Sequence, residues 1–344
     1  MEAFRHGPEM VPMPAPARSR GNALDRTITL DVHGTRQRVR VCAERRGLPP
    51  VLVVQAGPGL PLLNEVAKFR ARLKLERDFT VAYWDQRGCG EAPLRDARSV
   101  SVRTQVDDVC AMIRWLGHQT GQPVVVLAVS LGATFALQAV AREPSNVKAL
   151  VAVSIDTDLP AADAAAADFL EQAAAFSGRA SLAKSVESLE PPPYLAPGPF
   201  QWRARLLTDL GGIERVSGFG ELMRSTLFSL LRTYGVVGTV TALRNLNAVQ
   251  RKLLPEIATL DLFGNWPHYG MPVHYVFGSD DALVPVSLAQ RVLSVAAKGD
   301  SVRVVPGARH MVHFDAPEVV REVIVQAHGR VAPQARVASW SRPG

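Results

Sequence analysis

Hydrophobic and polar positions change texture three times along this chain of 344 residues. Thr27–Val32 and Gln37–Ala43 are β-prone runs around the turn dipeptide His33-Gly34, the pattern of an antiparallel hairpin. From Pro50 onward, Val51–Gln55, Thr80–Trp84, Val124–Val129 and Val147–Ile155 are short and almost wholly apolar. Strands that read as unbroken apolar runs are buried on both faces, as in a parallel sheet. Between them, Leu62–Leu75 and Val102–Leu116 have helical periodicity. In the second helix Val106, Cys110, Ile113 and Leu116 recur at three- and four-residue steps, and Asp107, Asp108 and Arg114 are expected together on the other side.

From Asp156 to about Trp266 the strand pattern stops, and Pro160–Phe176, Phe200–Leu210, Glu214–Tyr234 and Val236–Leu254 predict helices, with a proline-rich break at Pro191–Pro193. Strand texture resumes at Val273–Phe277, followed by the helix Val286–Ala297, the strand Ser301–Val305 and the helix Pro317–His328. Parallel α/β alternation that is interrupted by helices and then resumed predicts an α/β core with an inserted helical cap. The expected division is a flexible leader over 1–26, a core over 27–155 and 267–331, a cap over 156–266 and a flexible tail over 332–344.

Composition narrows the function classes. With 47% apolar and 21% charged residues the chain has the make-up of a globular protein. The net charge of +7 is diffuse, and zinc-finger spacing, a basic region with heptads and aromatic-interleaved basic runs are all missing, so nucleic acid is not an expected partner. Cys42, Cys89 and Cys110 lie far apart, which argues against a disulfide framework or a metal site and fits a reducing cytoplasm. The first 20 residues lack the apolar stretch of a secretory signal. Val124 to Val140 is the most membrane-like segment, but Ser130, Gly132, Thr134 and Gln138 interrupt it, and no membrane span or membrane partner is expected. Nothing in the sequence indicates an oligomeric state.

That same segment carries the candidate chemistry. Ala128-Val129-Ser130-Leu131-Gly132 places a serine between an apolar strand and a helix, as a nucleophile elbow does, with small residues two before and two after it where a tight turn leaves no room for side chains. A serine hydroxyl becomes a nucleophile only when a histidine takes its proton and an acid orients that histidine. Asp281, in the turn after the resumed strand, is the candidate acid, with Asp280 as its rival; His310, after the next strand, is the candidate base, with His313 as the alternative. Attack on a carbonyl also needs donors for the oxyanion. The backbone N–H of Leu131 is one candidate, and Gly57, in the loop Gln55-Ala56-Gly57-Pro58-Gly59 after the first parallel strand, is the other.

With these residues in that order the chain resembles the α/β-hydrolase fold: a mostly parallel central sheet flanked by helices, with an inserted helical cap. Two further runs resemble its proline iminopeptidase-like branch. Gln55-Ala56-Gly57-Pro58-Gly59 is similar to that branch's HGGPG, and Asp85-Gln86-Arg87-Gly88-Cys89-Gly90 to its DQRGxGxS. The resemblance, which covers about Thr27 to Val331, implies that Asp85 and Arg87 brace the loops around the site. The family's elbow reads GGSWG, its oxyanion loop starts His-Gly, and glutamates following tryptophan in the cap grip the substrate's amino end. Here the elbow is AVSLG, the loop starts Gln55-Ala56, and the cap tryptophans are followed by Arg203 and Pro267, leaving Glu214, Glu221 and Glu256 as the available acids. The expected function is therefore a serine hydrolase acting through an acyl-enzyme on a small to medium apolar ester, lactone, thioester or amide, without metal or cofactor. Proline iminopeptidase-type aminopeptidase, an acyltransferase or cyclising enzyme on the same triad, and a binding protein with a lapsed elbow are the alternatives. Trp202, Phe228 and Tyr234 are candidate substrate contacts, with Phe200 and Met223 beside them.

Overall fold

The computed structural model describes residues 23–215 and 218–329. The expected tail, residues 330 and 331 of the expected core and the leader up to residue 22 lie outside the described residues. Strand β1 (Leu24–Val32) begins before Thr27, so residues 24–26, expected in the leader, belong to the sheet. It pairs antiparallel with β2 (Thr35–Ala43) through a two-residue turn in which His33 (φ 49°) and Gly34 (φ 73°) are both left-handed, the backbone that matches the twist of a hairpin.

The remaining strands are β3 (Pro50–Val54), β4 (Thr80–Trp84), β5 (Val124–Val129), β6 (Val147–Val153), β7 (Val273–Gly278) and β8 (Ser301–Val305). Their order in one sheet is β1-β2-β4-β3-β5-β6-β7-β8, antiparallel at the β1–β2 and β2–β4 pairs and parallel from β4 through β8. Helices α1 (Val66–Leu73), α2 (Leu94–Arg98), α3 (Val102–Thr120) and α4 (Leu131–Arg142) fall between these strands. The alternation of side chains along a strand explains the apolar runs. Leu52, Val54, Val126 and Ala128 join one core cluster with Val106, Ile113 and Phe135, while Val51, Val53, Val125 and Leu127 join a second with Phe69, Val320 and Ile324.

Between β6 and β7 come only helices: α5 (Leu159–Ser177), α6 (Ala180–Glu187), α7 (Pro197–Asp209) and α8 (Phe219–Ile257). The last is broken at Gly235 (φ 67°, ψ −174°), the junction expected between Tyr234 and Val236. It starts at Phe219, not Glu214, where Asp209 Oδ1 accepts the Phe219 N–H at 2.8 Å. Ala166, Leu170, Leu206, Leu207 and Ile213 give the insertion a small core of its own, which includes Ala282 from the sheet domain. Its two ends are joined where Leu159 donates to the Leu260 carbonyl and Leu262 to that of Thr157, at 2.9 and 2.8 Å. By length and composition α8 could cross a membrane, but Asn245 ties it to the Gly90 and Ala92 carbonyls, and its outer side leaves Phe228, Val236 and Val237 exposed. Helices α9 (Val286–Val295), α10 (Val312–Asp315) and α11 (Pro317–Ala327) complete the chain.

Asp108 departs from the expectation for α3. It is fully buried, held by two hydrogen bonds from Arg87 at 2.7 and 2.8 Å, one from Gln37 at 2.7 Å and a contact with His33 Nδ1 at 2.9 Å. A buried carboxylate needs such compensation, and the matching guanidinium comes from the DQRG loop.

Candidate active site

Strands β5, β6, β7 and β8 are consecutive neighbours, so the residues that follow their carboxyl ends converge. Ser130 follows β5 with φ 53° and ψ −132°, an unusual backbone for a non-glycine residue that costs ~1–3 kcal/mol. The turn is held by the Ser130 N–H donating to the Val153 carbonyl at 2.9 Å. Gly132 is required on its far side, because a side-chain carbon there would overlap the Gln55 carbonyl oxygen.

His310, buried after β8, reaches Ser130 Oγ through Nε2 at 3.0 Å and the Asp281 carboxylate through Nδ1 at 3.0 and 3.1 Å. Asp281 Oδ1 also accepts the N–H groups of Leu283 and Val284, both at 2.8 Å, which fixes the carboxylate. With only acceptors facing it, Nδ1 carries the proton and leaves Nε2 to accept. Burial by itself would lower the His310 imidazole, but Asp281, with a smaller push from Asp156, holds it above the ordinary value. Gly278 lets the two loops meet: a side-chain carbon there would overlap the Ala308 carbonyl. The rivals stand elsewhere. Asp280 is exposed and accepts the Ser279 hydroxyl at 2.6 Å. His313 stacks on Phe69 with ring centroids 5.1 Å apart, and burial lowers it to about 3.

Leu131 begins α4 directly after Ser130, so its N–H has no carbonyl in its own helix and is a helix-terminal donor beside the serine. Gly57 lies against it: a side-chain carbon added there would stand 3.5 Å from Leu131 Cδ2. Asp85 accepts the Leu62 and Leu63 N–H groups at 2.7 and 2.9 Å and the Tyr234 hydroxyl at 2.7 Å. It thereby links the loops after β3 and β4 to α8, while Arg87 links the same loop to Asp108 and to Ser99.

Two of the candidate substrate contacts are placed differently from expectation. Tyr234 is buried with its hydroxyl donating to Asp85, so it ties α8 to the loops that Asp85 holds. Phe228 is 68% exposed and edges a groove of about 840 Å³ between α8 and the β1–β2 and α1 region, lined by Arg38, Lys68, Arg70 and Arg232 and by none of Ser130, Asp281 or His310. Trp202 packs against the insertion's own core, with the Arg205 guanidinium 4.9 Å from its ring centre. Of the acids noted in the insertion, Glu214 is ion-paired with Lys68 and Glu256 accepts the Val102 N–H at 2.8 Å.

Sequence reasoning missed Asp156. It follows β6 and its Oδ2 stands 3.0 Å from Ser130 Oγ, while its carbonyl accepts the Thr134 hydroxyl at 2.6 Å. Burial pushes its carboxyl up to about 6 against the pull of His310 and Ser130. The available signal was position: like Asp281, Asp156 is an acid just past the end of a predominantly apolar strand. Among the described residues, no cluster of three or more His, Cys, Asp or Glu is placed to hold a metal ion.

A model of the alpha/beta hydrolase family matches residues 37–323. The curated "Probable aminopeptidase YbaC" of Bacillus subtilis is 21% identical over 271 residues, spanning 76% of this chain and 83% of that one. Among solved structures, a proline iminopeptidase of Mycobacterium smegmatis matches with a TM-score of 0.61 at 20% identity, covering 88% of this chain and 98% of its own. The esterase RhEst1 of Rhodococcus sp. ECU1013 matches with a TM-score of 0.57 at 15% identity, over 88% and 98%. At such identities the structural likenesses establish the shared fold.

Proposed function

The chain belongs to the alpha/beta hydrolase family, and on that premise we propose that it is a serine hydrolase that works through an acyl-enzyme on a small to medium apolar ester, lactone, thioester or amide. The observation that carries the reading is the unbroken hydrogen-bonded series from Ser130 Oγ through His310 to Asp281. Ser130 Oγ attacks the substrate carbonyl as its proton passes to His310 Nε2, and Asp281 stabilises the resulting imidazolium without taking the proton. The oxyanion is met by the N–H groups of Leu131 and Gly57; one such donor is worth about 3–4 kcal/mol because it is already oriented. His310 then protonates the leaving group. Water, deprotonated by the same nitrogen, releases the acid and restores the serine. The helical insertion acts as a cap that excludes bulk water and supplies apolar contacts.

Aminopeptidase action is the second reading, favoured by the two motif runs that resemble those of iminopeptidases. Arg203 and Pro267, standing after the tryptophans where those enzymes place amine-binding glutamates, count against it. Screening the purified protein against p-nitrophenyl esters, lactones and proline naphthylamide, beside Ser130→Ala, tests both. Esters or lactones are expected to turn over, with a loss on the order of 10⁴-fold in Ser130→Ala. A variant that keeps a tenth of the activity overturns the reading.

A further inference from the structure

Ser130 Oγ has one proton and two hydrogen-bond partners, His310 Nε2 and Asp156 Oδ2, each at 3.0 Å. His310 Nδ1 already donates to Asp281, so a neutral His310 offers Nε2 as an acceptor, and an ionised Asp156 is also an acceptor. One hydroxyl proton cannot satisfy both. A single added proton does. It sits either on Asp156, which then donates to Oγ while the hydroxyl donates to Nε2, or on Nε2, which donates to Oγ while the hydroxyl donates to Asp156. The two arrangements hold the same number of protons and differ only in which group carries the charge.

The placement of Asp156 is built into the fold. Ser154, at the end of β6, has φ 45° and donates its N–H to the Val276 carbonyl at 2.8 Å. Thr134, in the first turn of α4, clamps the Asp156 carbonyl. Among the described residues Asp156 has no ion pair of its own. The charged groups facing it are His310, Asp281 and Arg203 of α7, and Arg203 is committed to Asp163. His310 faces Asp281, Asp156 and Arg203, with His313 beyond.

We propose that Asp156 is a second acid–base partner of Ser130, sharing one proton with His310 across the serine oxygen and thereby setting the pH at which the nucleophile becomes active. The proposal rests on Ser130 being the nucleophile. An ionised Asp156 favours the imidazolium, which cannot accept the serine proton; raising the pH removes the shared proton and frees Nε2. Asp156 Oδ2 and His310 Nε2 are at most about 6 Å apart, since each is 3.0 Å from Oγ. At that separation, with an effective dielectric of about 20–40, one charge moves the other group by about one to two pH units.

The test is the rate of Ser130 labelling by a small fluorophosphonate as a function of pH, in the wild type and in Asp156→Asn. The amide keeps the shape and can donate to Oγ as the protonated carboxyl does, but carries no charge. The acid limb is expected to move down by about one to two pH units in the variant. A limb that stays within about 0.3 units while the rate falls equally at every pH marks a merely structural residue and overturns the proposal, as does an upward shift. If Asp156→Asn does not fold, Asp156→Ser is read in the same way. Wild type that never labels at Ser130 refutes the nucleophile instead. The His310 titration, followed by ¹⁵N NMR, then decides: a fall of about one unit or more in the variant supports proton sharing, and an unchanged value overturns it.

Discussion

Gly132→Ala tests the packing that forms the elbow. A methyl group there would overlap the Gln55 carbonyl oxygen and sit 2.9 Å from the Gln55 carbonyl carbon and 3.1 Å from the Val54 oxygen. None of these atoms is the free end of a flexible side chain. Val54 pairs with Ala128 in the parallel β3–β5 ladder, and α4 starts directly from Ser130, so both sides of the clash are pinned. Overpacking of this kind costs ~1–3 kcal/mol. The more telling effect is on position, because the loop after β3 carries Gly57 and the start of α4 carries Leu131. Separating these two proposed oxyanion donors by ~1 Å should slow acylation by about 10²-fold. Urea unfolding measures the first effect, and the rate of fluorophosphonate labelling, normalised to folded protein, measures the second. Gly264→Ala, with no atom within 4 Å of the added methyl, is the control and should stay within about 0.5 kcal/mol of the wild type. A Gly132→Ala protein with wild-type stability and labelling would refute the argument that glycine is required here by the approach of β3.

Asp108→Ala should lower stability by about 3–5 kcal/mol in urea, because it strands the buried Arg87 guanidinium; a loss under about 1 kcal/mol would show that the Arg87–Asp108 pair is not the brace of the DQRG loop. His313, lowered to about 3, must take up a proton on unfolding, so its contribution is complete above its unfolded value near 6.5 and is lost as pH falls from there toward 3. His313→Phe should therefore flatten the stability–pH curve in that window by about 1.4 kcal/mol per pH unit and leave labelling of Ser130 nearly unchanged; a curve as steep as the wild type's would remove His313 as the cause. Asp281→Asn should keep the fold and lower kcat by about 10⁴-fold, while Asp280→Asn behaves as wild type; equal losses would mean that both carboxylates serve His310.

The inner parallel strands were legible because burial on both faces writes an almost unbroken apolar run, and Thr80–Trp84 and Val124–Val129 occur as the sequence predicts. The edge strand Ser301–Val305 also occurs as predicted, although it carries Arg303 and only Val305 is buried. The convergence of Ser130, Asp281 and His310 was legible for a related reason: each follows the carboxyl end of a predicted parallel strand. Asp156 satisfies the same condition, yet in the sequence it marks only the start of the insertion, since nothing in a local pattern shows that the chain turns back toward Oγ at Ser154. Asp108 was misplaced because periodicity assigns a charged residue to the solvated side unless its partner is known, and that partner lies 21 positions earlier on another element. The substrate-contact candidates fared worst. Helical periodicity does not say which neighbour an apolar face meets, so Tyr234 and Phe228 could be placed on a helix but not toward the site.

The central claim, that Ser130 is a nucleophile activated by His310, is tested most directly by mass spectrometry of the intact protein after exposure to a small fluorophosphonate. The account predicts a single adduct whose mass maps to Ser130, which is absent from Ser130→Ala and forms far more slowly in His310→Ala. An adduct that persists in Ser130→Ala, or one that forms in His310→Ala at the wild-type rate, would contradict it.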